Sequence, residues 1–131
     1  TSWPELVSFQ VQNNSFSGRI PPELGKLRSL ERINVSIAQL ESTLPTELSH
    51  CTNLTVIGLA VNKLSGKLPV SWAKLRRVRE FNVSKNMLTG DILPDYFTAW
   101  TRLTVFQADK NHFIGEIPAE VGMALLGDLS L

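Results

Sequence analysis

The stretch Leu54-Thr55-Val56-Ile57-Gly58-Leu59-Ala60-Val61-Asn62-Lys63-Leu64-Ser65-Gly66-Lys67-Leu68-Pro69 decides the fold, because its pattern returns along the whole chain. Its opening segment has the form apolar-x-x-apolar-x-apolar. The same form stands upstream as Leu6-Phe9-Val11 and Leu30-Ile33-Val35, and downstream as Val78-Phe81-Val83 and Leu103-Phe106-Ala108. Leu6, Leu30, Leu54 and Val78 are 24 residues apart, and Leu103 follows Val78 by 25. In the second half, Asn62 is matched by Asn14, Asn86 and Asn111, and Gly66 by Gly18, Gly90 and Gly115. Leu68-Pro69 is matched by Ile20-Pro21, Leu44-Pro45 and Ile117-Pro118. A fixed period of this size marks a repeat array, in which each unit buries its apolar face only against its neighbours.

Each recurring position has a physical task. The closing apolar-x-apolar of the opening segment reads as a short strand whose alternate side chains point inward. Stacked repeats bring these strands about 4.8 Å apart in one parallel sheet. The Asn stands where the chain leaves the strand, where a carboxamide can satisfy backbone groups of its own and the adjoining coil. The recurring glycines permit a conformation or close approach that a Cβ resists. The prolines stop helix and favour an extended return path. The later apolar pairs Leu24 and Leu27, Leu48 and Cys51, and Trp72 and Leu75 are expected to fill the outer side of the core. Pro and Gly at such regular offsets rule out a set of amphipathic helices.

The stretches Leu64-Ser65-Gly66-Lys67-Leu68-Pro69 and Phe16-Ser17-Gly18-Arg19-Ile20-Pro21-Pro22-Glu23-Leu24-Gly25 resemble the plant-specific leucine-rich-repeat consensus. That consensus typifies the ectodomains of plant receptor-like kinases, receptor-like proteins and polygalacturonase inhibitors, and the wording here is most similar to cereal receptor-like kinases. The resemblance implies an α/β right-handed solenoid, arched like a horseshoe. Its concave face would be a parallel β-sheet, with short outer strands and a convex side of 3₁₀ turns and loops.

The units read as repeats 6–29, 30–53, 54–77, 78–102 and 103–125. Residues 1–5 resemble the tail of a preceding repeat, and 126–131 the start of another with Leu126, Leu129 and Leu131 in strand register. Neither end has a polar capping repeat, and the paired cysteines that flank plant ectodomains of this family are missing. The chain is therefore expected to be part of a longer array. Repeat two departs most: Ala38 replaces the ladder Asn and Ser42 the Gly, so its turn is expected to be altered, with Gln39 a candidate to replace the missing amide. The extra residue of repeat four, around Ile92-Leu93-Pro94, is expected to bulge on the outer path. Trp3 and Trp100 stand where Leu27, Cys51 and Leu75 stand elsewhere, so these tryptophans read as core rather than as ligand-stacking platforms.

The outward strand positions form a mostly uncharged, hydrogen-bonding strip with a small apolar depression at Val56, Gly58 and Ala60. The concave face is the usual binding surface of a solenoid, and such a strip suits an extended peptide or another protein better than a polyanion. Gln10, Arg32, Asn34, Glu80, Asn82, Gln107 and Asp109 are the candidate contact residues; a plain solvated face, with contacts elsewhere in the array, stays open beside that reading. Asn14, Asn62, Asn86 and Asn111 form the structural Asn ladder. Four Asn-x-Ser/Thr triplets, at Asn13, Asn34, Asn53 and Asn82, make these the glycosylation candidates. Asn53, in the link before a strand, is the favoured one, since glycans on Asn34 or Asn82 would obstruct the concave face.

Composition narrows the remaining classes. Lys and Arg number 13 against 12 Asp and Glu, which gives no basic face for nucleic acid. A basic stripe of Lys26, Arg28, Arg32, Lys74, Arg76, Arg77 and Arg79 reads as a solvated edge, with an acidic partner such as demethylated pectin as the alternative. No apolar run reaches the roughly 18 residues of a membrane span, so any membrane link would lie in segments outside this chain. Cys51 is the only cysteine, leaving no internal disulfide or thiolate metal cluster. His50 and His112 are the only histidines, and neither has a neighbouring nucleophile pattern. The glycines never form a phosphate loop ahead of Lys-Ser/Thr.

No catalytic residue, cofactor or metal site is therefore expected. The reading is an extracellular, cell-surface recognition module of the receptor-like kinase or receptor-like protein type, taking a peptide or protein ligand or a co-receptor. The alternative is a secreted defence protein inhibiting a cell-wall-degrading enzyme, in the manner of polygalacturonase inhibitors. The concave columns are too mixed for the flat repeated ranks of an ice-binding surface.

Overall fold

Alternation of apolar and polar residues drives each opening segment into a three-residue strand, since only every second side chain meets the core. In the computed structural model, which describes residues 6–10, 18–115, 118 and 128–130, these strands are β1 (Ser8–Gln10), β2 (Arg32–Asn34), β4 (Val56–Gly58), β6 (Glu80–Asn82), β8 (Val105–Gln107) and β10 (Asp128–Ser130). They form one parallel sheet in that order. Its register aligns Phe9, Ile33, Ile57, Phe81 and Phe106 as a single rank. From Ile33 onward this rank is buried.

The second half of each repeat builds a smaller parallel sheet from β3 (Glu41–Thr43), β5 (Lys63–Lys67), β7 (Met87–Gly90) and β9 (His112–Phe113). The prolines then start the convex turns. Three are 3₁₀ turns, η1 (Pro22–Lys26), η2 (Thr46–His50) and η3 (Val70–Lys74), and the fourth is a short helix, α1 (Pro94–Ala99). η1 and η2 pack so closely that a Cβ on Gly25 would collide with the Glu47 carbonyl oxygen. Glycine is required there for space rather than for backbone freedom.

The ladder asparagines lock coil to coil. The Asn86 Nδ2 donates to the carbonyls of Leu59, Val83 and Ser84 at 3.0, 3.0 and 3.2 Å, while its Oδ1 accepts from the Leu64 N–H at 3.0 Å. Asn111 repeats the pattern with Val83, Ala108, Asp109 and Leu88. Asn13, Asn14, Val11, Gln12 and Trp3 lie outside the described residues.

A second ladder, not anticipated from the sequence, runs along the convex side. Buried side-chain donors reach carbonyls of the preceding coil: Cys51 Sγ to Leu24, Trp72 Nε1 to Pro45, Tyr96 Oη to Pro69 and Trp100 Nε1 to Trp72. Trp72 and Trp100 are fully buried, so they serve the core and also satisfy backbone acceptors that a buried turn would otherwise orphan. Burial pushes the Cys51 thiol and the Tyr96 phenol up from their ordinary values. A thiol so shielded is a packing group rather than a nucleophile.

Two sequence expectations are corrected. In repeat four the extra residue does not make a loose bulge. It is absorbed by turning 3₁₀ into α-helix: the Trp100 N–H reaches Tyr96 four residues back, whereas Cys51 and Leu75 reach only three residues back, to Leu48 and Trp72. In repeat two the turn is altered, as its sequence implies: Ile37 keeps the left-handed φ of 57° found at Val61, Lys85 and Lys110, but Gln39 adds a second left-handed residue, at 56°, without counterpart at Lys63, Met87 or His112. Gln39 does not replace the missing amide, because its side chain is exposed. The compensation comes from the next repeat, where the Asn62 Oδ1 accepts from both the Ala38 and Leu40 N–H groups, at 3.1 and 2.9 Å.

Ser42 stands in the glycine column with a φ of 78°, against 82°, 80° and 82° at Gly66, Gly90 and Gly115. A side chain in this region is strained by roughly 1–2 kcal/mol. Glycine would remove that strain but lose roughly 0.5–1 kcal/mol through the freer unfolded chain. Ser42→Gly is therefore expected to raise folding stability by about 0.5–1 kcal/mol, read as a higher urea midpoint at unchanged slope.

Candidate ligand-binding face

The in-register inner sheet leaves three outward columns. The first is Ser8, Arg32, Val56, Glu80 and Val105, and the second is Gln10, Asn34, Gly58, Asn82 and Gln107. The third, past the strand ends, carries Ser36, Ala60, Ser84 and Asp109. All seven candidate contact residues thus fall on one face. Gln10, Arg32 and Glu80 are exposed, and Asn34, Asn82, Gln107 and Asp109 are half-buried.

The asparagines are less available than their outward register suggested. The Asn34 Oδ1 accepts from the Ser36 N–H at 3.1 Å. The Asn82 Oδ1 accepts from the Ser84 N–H at 3.0 Å and the Ser84 hydroxyl at 2.8 Å. Both carboxamide oxygens therefore serve the strand-exit turn, and the Nδ2 groups remain as donors toward the face. The third column is held too, since the Ser36 Oγ accepts from the Ala60 N–H at 3.2 Å. Such local bonds fix rotamers in advance, which lowers the entropic cost of binding.

At the apolar positions of the third repeat the glycine is covered. A Cβ on Gly58 would lie 3.1 Å from both Cγ and Oδ1 of Asn34, so that carboxamide leans over the glycine. Gly58 and Ala60 are buried and Val56 is half-buried, so Val56 is the most accessible of the three apolar positions. Arg32 and Glu80 stand on either side of Val56, two strands apart, or about 10 Å. Among the described residues neither group is in an ion pair, so one positive and one negative side chain are exposed on the face.

The other candidates fall elsewhere. Asn53 is half-buried, with its Nδ2 3.4 Å from the Arg28 carbonyl and its Oδ1 accepting from Arg77 at 3.0 Å. Lys26, Arg28, Lys74, Arg76, Arg77 and Arg79 are exposed along the approach to the strands. Among the described residues no group of three His, Cys, Asp or Glu is placed to hold a metal ion, and no helix is long and apolar enough to cross a membrane.

Comparison with known proteins agrees with this architecture. The Leucine Rich Repeat family model matches residues 5–27. Receptor-like protein 18 of Arabidopsis thaliana is 31% identical over 111 residues, covering 85% of this chain and 13% of that protein. The Arabidopsis receptor kinase HAESA ectodomain, solved with a peptide hormone ligand, superposes with a TM-score of 0.91 at 30% identity, covering 96% of this chain and 21% of that one. The plant peptide hormone receptor RGFR1, solved with RGF2, gives 0.90 at 31% identity, with coverages of 96% and 21%. The chain thus spans only a small part of each relative. By these likenesses the chain is a leucine-rich-repeat solenoid, similar to plant receptor-like proteins and receptor-kinase ectodomains.

Proposed function

We propose that the chain is a non-catalytic recognition segment of a plant cell-surface receptor, either a receptor-like kinase or a receptor-like protein, and that its concave sheet contacts an extended peptide or a protein loop. The observation that carries this reading is the arrangement of the two outward columns. Exposed Arg32 and Glu80 bracket Val56, beside the Asn34 and Asn82 amides, whose rotamers are already fixed. Opposite charges on a pre-ordered polar strip supply orientation and register for a peptide backbone. Relatives that hold peptide hormones on the same fold support the assignment. The repeat divisions given above are proposed as the structural units.

The test is selection of a displayed library of random linear peptides on the 131-residue chain. Arg32→Ala and Glu80→Ala are each expected to weaken the enriched peptides about tenfold, a loss of about 1.4 kcal/mol, measured by titration calorimetry. Unchanged affinity in both variants contradicts the assignment of these contacts. Binding and inhibition of a polygalacturonase would instead support the secreted-inhibitor alternative, which no feature of the face favours.

An extracellular location brings the Asn-x-Ser/Thr triplets into use. Asn34 and Asn82 stand in the outward columns of the contact face, whereas Asn53 lies in the link before a strand, so Asn53 is proposed as the glycan carrier. Peptide mass mapping of the chain secreted from plant cells is expected to show occupancy at Asn53 and none at Asn34 or Asn82. A glycan at either of the latter would argue against a contact role for that face.

A further inference from the structure

The strand-exit turns hold side chains that the fold itself does not favour. Ile37 and Val61 both sit at a φ of 57°, a conformation to which β-branched residues are poorly suited and which asparagine tolerates far better. Both are also exposed, at 50% and 39%. Strain and exposed apolar surface together give the folded state nothing, and strain of this kind gathers where a partner binds.

The next two turns of the same column carry Lys85 and Lys110, again at a φ of 57° and exposed. The stacking is regular: the N–H groups of Ile37, Val61 and Lys85 donate to the carbonyls of Ala60, Ser84 and Asp109, each one coil further on, at 2.9, 3.0 and 2.9 Å. The edge of the concave sheet therefore presents two apolar groups followed by two cations, at steps of about 4.8 Å.

We propose that this edge is a second recognition strip, and that its occupant is an extended peptide segment with two apolar side chains next to carboxylates. Charge complementarity names the occupant: the two lysines call for acidic residues, and the Ile37–Val61 pair calls for aliphatic ones. The column spans three steps, about 14 Å, which an extended segment of four or five residues covers at about 3.3 Å per residue. The strip lies beside the contact face described above. It rests on the recognition reading but uses different residues, so the ligand would lie across both.

The experiment selects the same displayed peptide library on the wild-type chain, then measures one enriched peptide against three double variants. Enriched sequences are expected to pair apolar residues with Asp or Glu. The I37N/V61N variant is expected to melt higher, by roughly 3 °C or more, yet bind at least tenfold more weakly. The K85E/K110E variant is also expected to bind at least tenfold more weakly, with a reduced dependence on salt. Unchanged affinity in both edge variants overturns the strip, and a lower melting temperature for I37N/V61N overturns the strain on which it is argued. If R32A/E80A loses binding while the edge variants do not, the concave-face reading stands and the edge proposal fails. If no peptide is enriched on the wild-type chain, both fail.

Discussion

Replacing Asn62 with alanine is expected to destabilise the chain by roughly 3–5 kcal/mol, more than the same change at Asn111. The Asn62 carboxamide makes five hydrogen bonds: its Oδ1 accepts from the Ala38 and Leu40 N–H groups, and its Nδ2 donates to the carbonyls of Val35, Leu59 and Ala60. Ala38 and Leu40 are buried, so the change leaves two donors without an acceptor, each costing roughly 1–3 kcal/mol. Repeat two has no ladder Asn of its own to share the load. Around Asn111, by contrast, the Val83 carbonyl keeps the Asn86 Nδ2 as a second donor. Urea unfolding of N62A beside N111A checks this, and an equal or smaller loss at Asn62 would show that the neighbouring coil does not carry repeat two.

Phe81→Ala is the second large effect, roughly 3–5 kcal/mol for the truncated ring. Phe81 is fully buried at the centre of an aromatic cluster. Its ring centroid lies 6.3 Å from Trp72, 5.8 Å from Tyr96, 5.0 Å from Trp100 and 5.3 Å from Phe106. Edge-to-face and offset pairs of this kind add roughly 0.5–1.5 kcal/mol beyond burial. Phe81→Leu should lose less, since leucine keeps most of the buried volume and the same rank carries Ile33 and Ile57. Because Glu80 and Asn82 flank Phe81 on the opposite face, the alanine variant is also expected to weaken peptide binding, whereas the leucine variant should not. Thermal melts with calorimetric titration separate the two consequences.

Much of this architecture was legible because its cause is periodic. Ile33, Ile57, Phe81 and Phe106 could be placed inward, and Arg32, Glu80 and Gln107 outward, from alternation alone. Features that depend on the offset between coils were not legible. The convex ladder needs Trp72 to lie under Pro45 and Tyr96 under Pro69, which no local pattern declares. The helix α1 arises because the added residue can be taken up by a four-residue hydrogen bond, a choice that depends on packing. Asn34 and Asn82 were correctly placed on the face, but their turn toward Ser36 and Ser84 is a rotamer outcome. One signal was present and passed over: Ile37 and Val61 stand in the column that Lys85 and Lys110 occupy, directly before the ladder position. That turn demands a left-handed residue, so a β-branched side chain there is conspicuous.

Amide chemical-shift mapping of the ¹⁵N-labelled chain with a selected peptide tests most directly the proposal that the concave sheet meets the ligand. The largest shifts are expected at residues 32–37, 56–61, 80–85 and 105–110, with the convex turns at 22–26, 46–50 and 70–74 unmoved. Shifts concentrated on those convex turns, with the strand residues unchanged, would contradict it.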